Sequence, residues 1–285
     1  MVTASAWPGP LAQEFFRNAV LAGTLTAVAA GLTGYFVVLR NQVFAADALS
    51  HVAFTGGLGA LAYGAGLRFG VFGGTVAAAV GLGLLGGRAA RADDTVIGIV
   101  FAWVLGVGAY FLSVFVGGRS TSNGAAAVRV LFGSVFGLRA ADVRLTLWLA
   151  LLTVGGLVAI ARPLLFSTVD PDVARAQGVP VRTLEVVHLV LVGLAAAQAV
   201  QVVGSLLLLA LVATPTATAA RLTTRPWRAL VLAPALGTVG LWGGLGLSYA
   251  RADLPPSFAI VSLLFAFYLL AVAVGRRGPG TAARG

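Results

Sequence analysis

Apolar residues run along this chain in long blocks, and polar residues collect in the short gaps between them. A block of about 18 or more apolar residues is long enough to cross the hydrocarbon core as a helix, which pairs its backbone N–H and C=O groups internally. The pattern predicts spans over Asn18–Leu39, Asp47–Tyr63, Phe69–Gly87, Thr95–Val116, Val143–Ala161, Leu184–Val200, Gln201–Ala220, Ala229–Ser248 and Phe258–Gly275. The apolar stretch Val130–Leu138 is too short to cross and reads as a re-entrant or interfacial helix. The expected fold class is all-α, a polytopic membrane protein of about eight or nine transmembrane helices plus that short element. A single transmembrane domain is expected over 1–275, with a disordered cytoplasmic tail over 276–285.

Composition sharpens this. Only 10% of residues are charged, against about 25% in a soluble domain. There is no Cys and one Met, at position 1, so neither a thiolate site nor a soft-sulfur copper(I) path is available. All 19 basic residues are Arg. Without Lys there is no P-loop and no Schiff base, so if ATP drives this protein another subunit is expected to hydrolyse it. The net charge of +10 sets topology and does not point to nucleic acid. With the N-terminus outside, twelve of the 19 arginines fall in cytoplasmic segments, as the positive-inside rule expects. Residues 1–17 lack the pattern of a removable signal peptide. Gly70 with Gly74, and Gly240 with Gly244, have the small-xxx-small spacing of tightly packed helices, and Pro215 predicts a kink inside a span.

Few polar residues lie within the apolar blocks. Asp47 and His51 are four apart and share one helix face. A carboxylate and an imidazole there suit a divalent first-row metal, and an ionisable group at mid-membrane costs about 2.5–3.5 kcal/mol, so it is rarely idle. The bland alternative is that Asp47 caps the helix and His51 bonds a neighbour. His188, with Glu185 one turn earlier, could extend a metal path or could contact another helix. Gln198 and Gln201 could line a pore or a turn. Asp93 and Asp94 read as a helix start, and Asp253 as a loop residue. Between two spans, Asp170 suits an N-cap, Pro171 the first helical position and Gly178 the position past the end. Ala174 and Arg175 lie inside this short cytoplasmic helix, which could be a connector or could dock on a partner.

Several segments, taken in order, resemble the membrane subunits of zinc/manganese/iron-type metal ABC importers. They are Leu39-Arg40 through Asp47-Ala48-Leu49-Ser50-His51, then 94–101, then Val130-Leu131-Phe132-Gly133-Ser134, then 170–180, and last Val203 to Leu207 with Pro215 to Leu222. The chain departs from the family at Ala46, usually Gly, and at Phe54-Thr55-Gly56, where Leu-Pro-Gly is usual. The resemblance implies a homodimeric permease in a bacterial-type cytoplasmic (inner) membrane. Its partners would be a cytoplasmic ATP-binding subunit, an extracytoplasmic metal-binding protein, a second copy of itself and membrane lipid. Asp47 and His51 match the positions that contact metal, and 170–178 matches the element that meets the ATPase. No cofactor is permanently bound; the divalent metal is cargo. Asp plus His accepts zinc, manganese or iron, with zinc ahead only by its general frequency. The alternatives are an ABC permease for a metal chelate, siderophore or vitamin, and a secondary transporter.

Overall fold

The computed structural model describes residues 12–85, 94–117, 135–251 and 253–275. The expected tail, Asp93 and most of Val130–Leu138 lie outside these; the described end of that stretch forms one 3-10 turn, Val135–Gly137. The helices are α1 Glu14–Leu39, α2 Val43–Ala62, α3 Leu67–Leu85, α4 Asp94–Gly117, α5 Ala140–Val169, α6 Pro171–Ala176, α7 Val181–Val202, α8 Ser205–Leu222, α9 Pro226–Ala250 and α10 Pro256–Gly275. Among the described residues there is no strand. Seven of the helices, α1, α3, α4, α5, α7, α9 and α10, are long and apolar enough to cross a membrane. The helix α2 is made more polar by Asp47, Ser50 and His51, and α8 by its threonines and Arg221. Their 20 and 18 residues reach about 30 and 27 Å, so among the described residues nine helices are of spanning length.

Burial sorts the helices. In their most apolar windows 72% of α7 and 67% of α1 is buried, against 11% of α4 and 22% of α10. The helices α1 and α7 therefore form the axis, and α2, α3, α5, α8 and α9 pack on one or both of them. The outer helices present Ile99, Trp103, Tyr110 and Trp148 outward, an apolar and aromatic rim suited to lipid. Helix ends also sort. At one end Arg40 after α1 meets Thr168 at the end of α5 and Glu185 at the start of α7. At the other, Asn18 near the start of α1 bonds the Leu138 carbonyl, and Arg68 near the start of α3 pairs with Asp142 near the start of α5 at 2.7 Å. Chain direction thus alternates as the hydropathy pattern requires.

Several boundaries differ from expectation, and two of the differences have an evident physical cause. The fifth span was expected to end at Ala161 but runs to Val169, with Pro163 inside the helix. Leu164 is fully buried and Ser167 and Thr168 bond back to its carbonyl, so packing carries the helix past a residue that usually ends one. The break between α7 and α8 falls at Val203–Gly204 instead of between Val200 and Gln201, because Gly204 takes φ +90°, a conformation glycine alone adopts cheaply. Pro215 lies within α8, which continues on both sides of it.

Both small-residue pairs mark close helix crossings. Gly70 opposes Gly56 of α2 so closely that a Cβ on either would lie 2.1 or 2.3 Å from the other's carbonyl oxygen. Gly240 and Gly244 receive Leu264 and Ile260 of α10. Gly56→Ala or Gly70→Ala must push α2 and α3 apart, at a cost of about 1–3 kcal/mol. The expected result is a lower midpoint of thermal unfolding in detergent, with no loss for Gly73→Ala, where nothing lies within 4 Å. Equal midpoints for all three would refute the close crossing.

Candidate functional site

The helix α2 starts after a tight turn. Arg40 closes α1, Asn41 takes φ +56°, and the backbone N–H groups of Asn41 and Gln42 bond the carbonyls of Val38 and Val37. This is the two-bond Schellman ending of a helix, with Asn where glycine is commoner. One face of α2, with Ala45, Ala46, Ala48 and Leu49, joins the main core. The other carries Phe44, Asp47 and His51. Asp47 Oδ1 lies 4.0 Å from His51 Nε2, and the side chains are 24% and 19% exposed. The Phe101 ring of α4 meets both the His51 ring, at 5.2 Å, and the Phe44 ring, at 5.5 Å. Asp47 and His51 are therefore together, oriented by their own helix and flanked by aromatic carbon, with room left on the open side. Ser50 is turned inward and bonds the Asp47 carbonyl, which leaves it no part in nucleophilic chemistry.

The two departures in this segment are accommodated away from that face. The Ala46 methyl is buried in the core. Thr55 donates to the Val104 carbonyl of α4 at 3.2 Å, and Gly56 supplies the α2–α3 crossing. Beside them, α2, α3 and α4 enclose an almost wholly apolar cavity of about 420 Å³ lined by Val52, Thr55, Trp103 and Phe111. It offers a cation no ligand.

Glu185 and His188 form a second pair with a different environment. Both are fully buried. Glu185 accepts from Arg40 Nη2 and Gln42 Nε2, while Arg40 Nη1 donates to Thr168 at 2.9 Å. His188 stands edge-on to Phe36 with neither ring nitrogen bonded. Among the described residues no three His, Asp or Glu side chains gather into one group, so the four candidates make two pairs and not one chelate. Arg40, Gln42 and Thr168 were missed as site residues. Arg40 was expected to be a loop charge setting topology; the structure buries it to 3% exposure. The available signal was its place just before the polar segment of α2, inside the stretch Leu39-Arg40 through His51 that carries the resemblance.

The short helix forms as its punctuation predicts. Asp170 Oδ1 accepts from the backbone N–H groups of Asp172 and Val173 at 3.1 and 3.0 Å, Pro171 opens α6, and Gly178 takes φ +81° beyond its end. Ala174 is buried against Val181. Asp172, Val173 and Arg175 are exposed, and Arg175 pairs with Asp172. The helix is anchored by one methyl group and shows its remaining surface outward. At the opposite end, Gln201 lines a cavity of about 230 Å³ together with the Arg68–Asp142 pair. Gln198 is buried and donates to Thr26 of α1, so it is an interhelical contact. Asp253 borders a separate cleft near Pro255 and Tyr249.

The sequence pattern of the ABC 3 transport family matches residues 12–275. The manganese transport system membrane protein MntC of Listeria monocytogenes is 30% identical over 243 residues, covering 85% of this chain and 84% of that protein. The protein of the same name from Halalkalibacterium halodurans is 31% identical over 258 residues, covering 90% and 87%. Among solved structures, PsaBC from Streptococcus pneumoniae in complex with Fab superposes with a TM-score of 0.78 at 25% identity, covering 91% of each chain.

The Asp170 cap gives a local test. Asp170→Ala leaves the amides of Asp172 and Val173 without an acceptor, and losing such a cap costs about 0.5–2 kcal/mol. Hydrogen exchange over residues 172–176 should quicken in Asp170→Ala and stay slow in Asp170→Asn. Unchanged exchange in the alanine variant would remove the cap from the account of α6.

Proposed function

The chain belongs to the ABC 3 transport family, and on that premise we propose that it carries manganese(II) inward past Asp47 and His51, driven by a separate ATPase. It is a multi-pass permease of the cytoplasmic membrane, the non-catalytic membrane component of an ABC metal transporter. The observation that carries the proposal is the Asp47–His51 pair, the partly exposed acid and imidazole 4.0 Å apart on one face of α2.

Oxygen and nitrogen donors without sulfur suit hard or borderline cations, and manganese is the weakest binder of the divalent series. Two ligands on an open face, completed by water, favour brief residence and release. Octahedral neighbours at about 2.1 Å from a metal stand about 3 Å apart, so small rotamer changes would bring the pair onto an ion. The names of the relatives shift the choice from zinc to manganese.

An extracytoplasmic binding protein would deliver the ion to the end that holds the Arg68–Asp142 cavity. A second copy of this chain would cover the open face of α2, where an ionised group facing lipid is costly. The element from Asp170 and Pro171 through Ala174 and Arg175 to Gly178 would meet the ATPase by its exposed surface, with Ala174 anchoring it from beneath. Glu185 touches Gln42 at the very start of α2. Counting about 1.5 Å per residue, His188 lies about 4.5 Å and Asp47 about 7.5 Å further from that end. The ion would then pass His51 and Asp47 first and His188 later. Glu185 serves as a ligand only while Arg40 releases it.

The test is radioactive manganese uptake into proteoliposomes that hold the permease, its ATPase and its binding protein. Asp47→Ala and His51→Ala should each lower ATP-dependent uptake by about tenfold or more, as loss of a metal contact does elsewhere, with assembly intact. His188→Ala should have a smaller effect. Native uptake by both α2 variants would move the path off this helix. Uptake without any ATPase would point to a secondary transporter, and transport only of chelated metal to an organic cargo.

A further inference from the structure

We propose that the buried Arg40–Glu185 pair is the positioning link through which movement of α6 reaches Asp47 and His51; this rests on the reading of α6 as the ATPase contact and of α2 as the cargo helix. The argument begins with connectivity. The helix α6 has two flanks. Thr168 ends α5 two residues before the Asp170 cap, and Glu185 lies one turn into α7. Arg40 holds both flanks with one guanidinium, Nη1 on Thr168 and Nη2 on Glu185. Residues 128 and 145 positions away in sequence therefore close on a single side chain.

Arg40 in turn is rigidly joined to the cargo helix. The Schellman turn at Asn41 fixes Gln42 against α1, the Gln42 carbonyl accepts from Ala46, and the Gln42 side chain bonds the other oxygen of Glu185. Asp47 is the next residue after Ala46. A shift of the α6 flanks thus pulls on both Arg40 and Gln42, which bracket the turn that aims α2. The remaining α2–α7 contact joins apolar side chains such as Leu49, Ala46, Leu189 and Val192. Apolar packing tolerates small shifts, whereas a buried charge pair has few acceptable geometries and is best attested as a register device. Lys could not replace Arg40, because a point charge cannot hold Thr168 and Glu185 in a planar fork.

A link and a mere staple differ in what their loss does. In the reconstituted complex, uptake and binding-protein-stimulated ATPase are measured together, giving ions moved per ATP. Arg40→Gln should keep the ATPase rate within about twofold and lower ions per ATP by about tenfold, a span typical of lost coupling between sites. The exchanged pair, Arg40→Glu with Glu185→Arg, should recover part of the ratio. Thr168→Val removes the acceptor of Arg40 Nη1 together with the bond back to the Leu164 carbonyl, but no charge; it should lower the ratio with a smaller fall in thermal midpoint than the charge variants, and it serves if those do not fold. A native ratio in Thr168→Val and in any folded charge variant would overturn the proposal, as would parallel loss of ATPase, uptake and stability without recovery in the exchanged pair. Two controls separate this from failure of the underlying reading. Val173→Asp, on the exposed face of α6, should weaken ATPase binding, and Asp47→Ala should lose uptake. If either behaves as native, the reading of α6 or of α2 has failed; if both behave as expected while Arg40→Gln keeps a native ratio, only the link has failed.

Discussion

A charge pair withdrawn from water holds a structure together only when its members are bonded by their surroundings, and the Arg40–Glu185 pair is bonded from four segments at once. The turn after α1, the first residue before α2, the last turn of α5 and the first turns of α7 all contribute to it. Removing one member of such a pair costs about 3–5 kcal/mol, because the other is left charged and alone. Much of the geometry at this end of the bundle follows from that constraint. The α1–α2 turn must be tight enough to place Arg40 and Gln42 on the same carboxylate, and α5 must continue through Pro163 far enough to bring Thr168 within reach.

The chain holds two acid–base pairs, and their surroundings give them different roles. Glu185 is fully buried and bonded at both oxygens, so in this conformation it has nothing to offer an ion. Asp47 and His51 are about a fifth to a quarter exposed and stand 4.0 Å apart, too far for a good hydrogen bond. Their mutual hold is weak and their outer side is open, as a transient metal site requires. Aromatic carbon from Phe101, itself backed by Phe44, limits how the His51 ring can turn without competing for the ion. His188 falls between the two cases, buried like Glu185 but with both nitrogens unbonded.

Packing between the two ends relies on small residues. In a bilayer the lipid is as apolar as the helices, so association depends on close fit and on hydrogen bonds between helices. Gly56 against Gly70, Gly31 against Pro234 and Gly34 against the Val212 carbonyl bring backbones nearly into contact. Gln198 with Thr26 and Trp242 with Thr24 add polar contacts. This close fit lets α1 and α7 lie at the centre while α4 and α10 keep most of their surface for lipid or for another protein.

The sequence by itself determined the elements. Long apolar blocks specify membrane helices because the bilayer forbids unpaired backbone, and that rule is local. The same holds for the short helix, whose Asp170, Pro171 and Gly178 act within a few residues of themselves, and for Asp47 with His51, which share a face through helix periodicity alone. The ordered motifs also identified the family. Tertiary structure alone decided which polar residues are consumed by the fold and which stay available. No local pattern distinguishes Arg40 from an arginine left in a loop, since its partners lie 128 and 145 residues away. The extension of α5 past Pro163 was hidden for the same reason: propensity favours ending a helix there, and distant packing overrules it. The separation of the four candidate ligands into two pairs likewise depends on how α2 and α7 pack together, which no local pattern states.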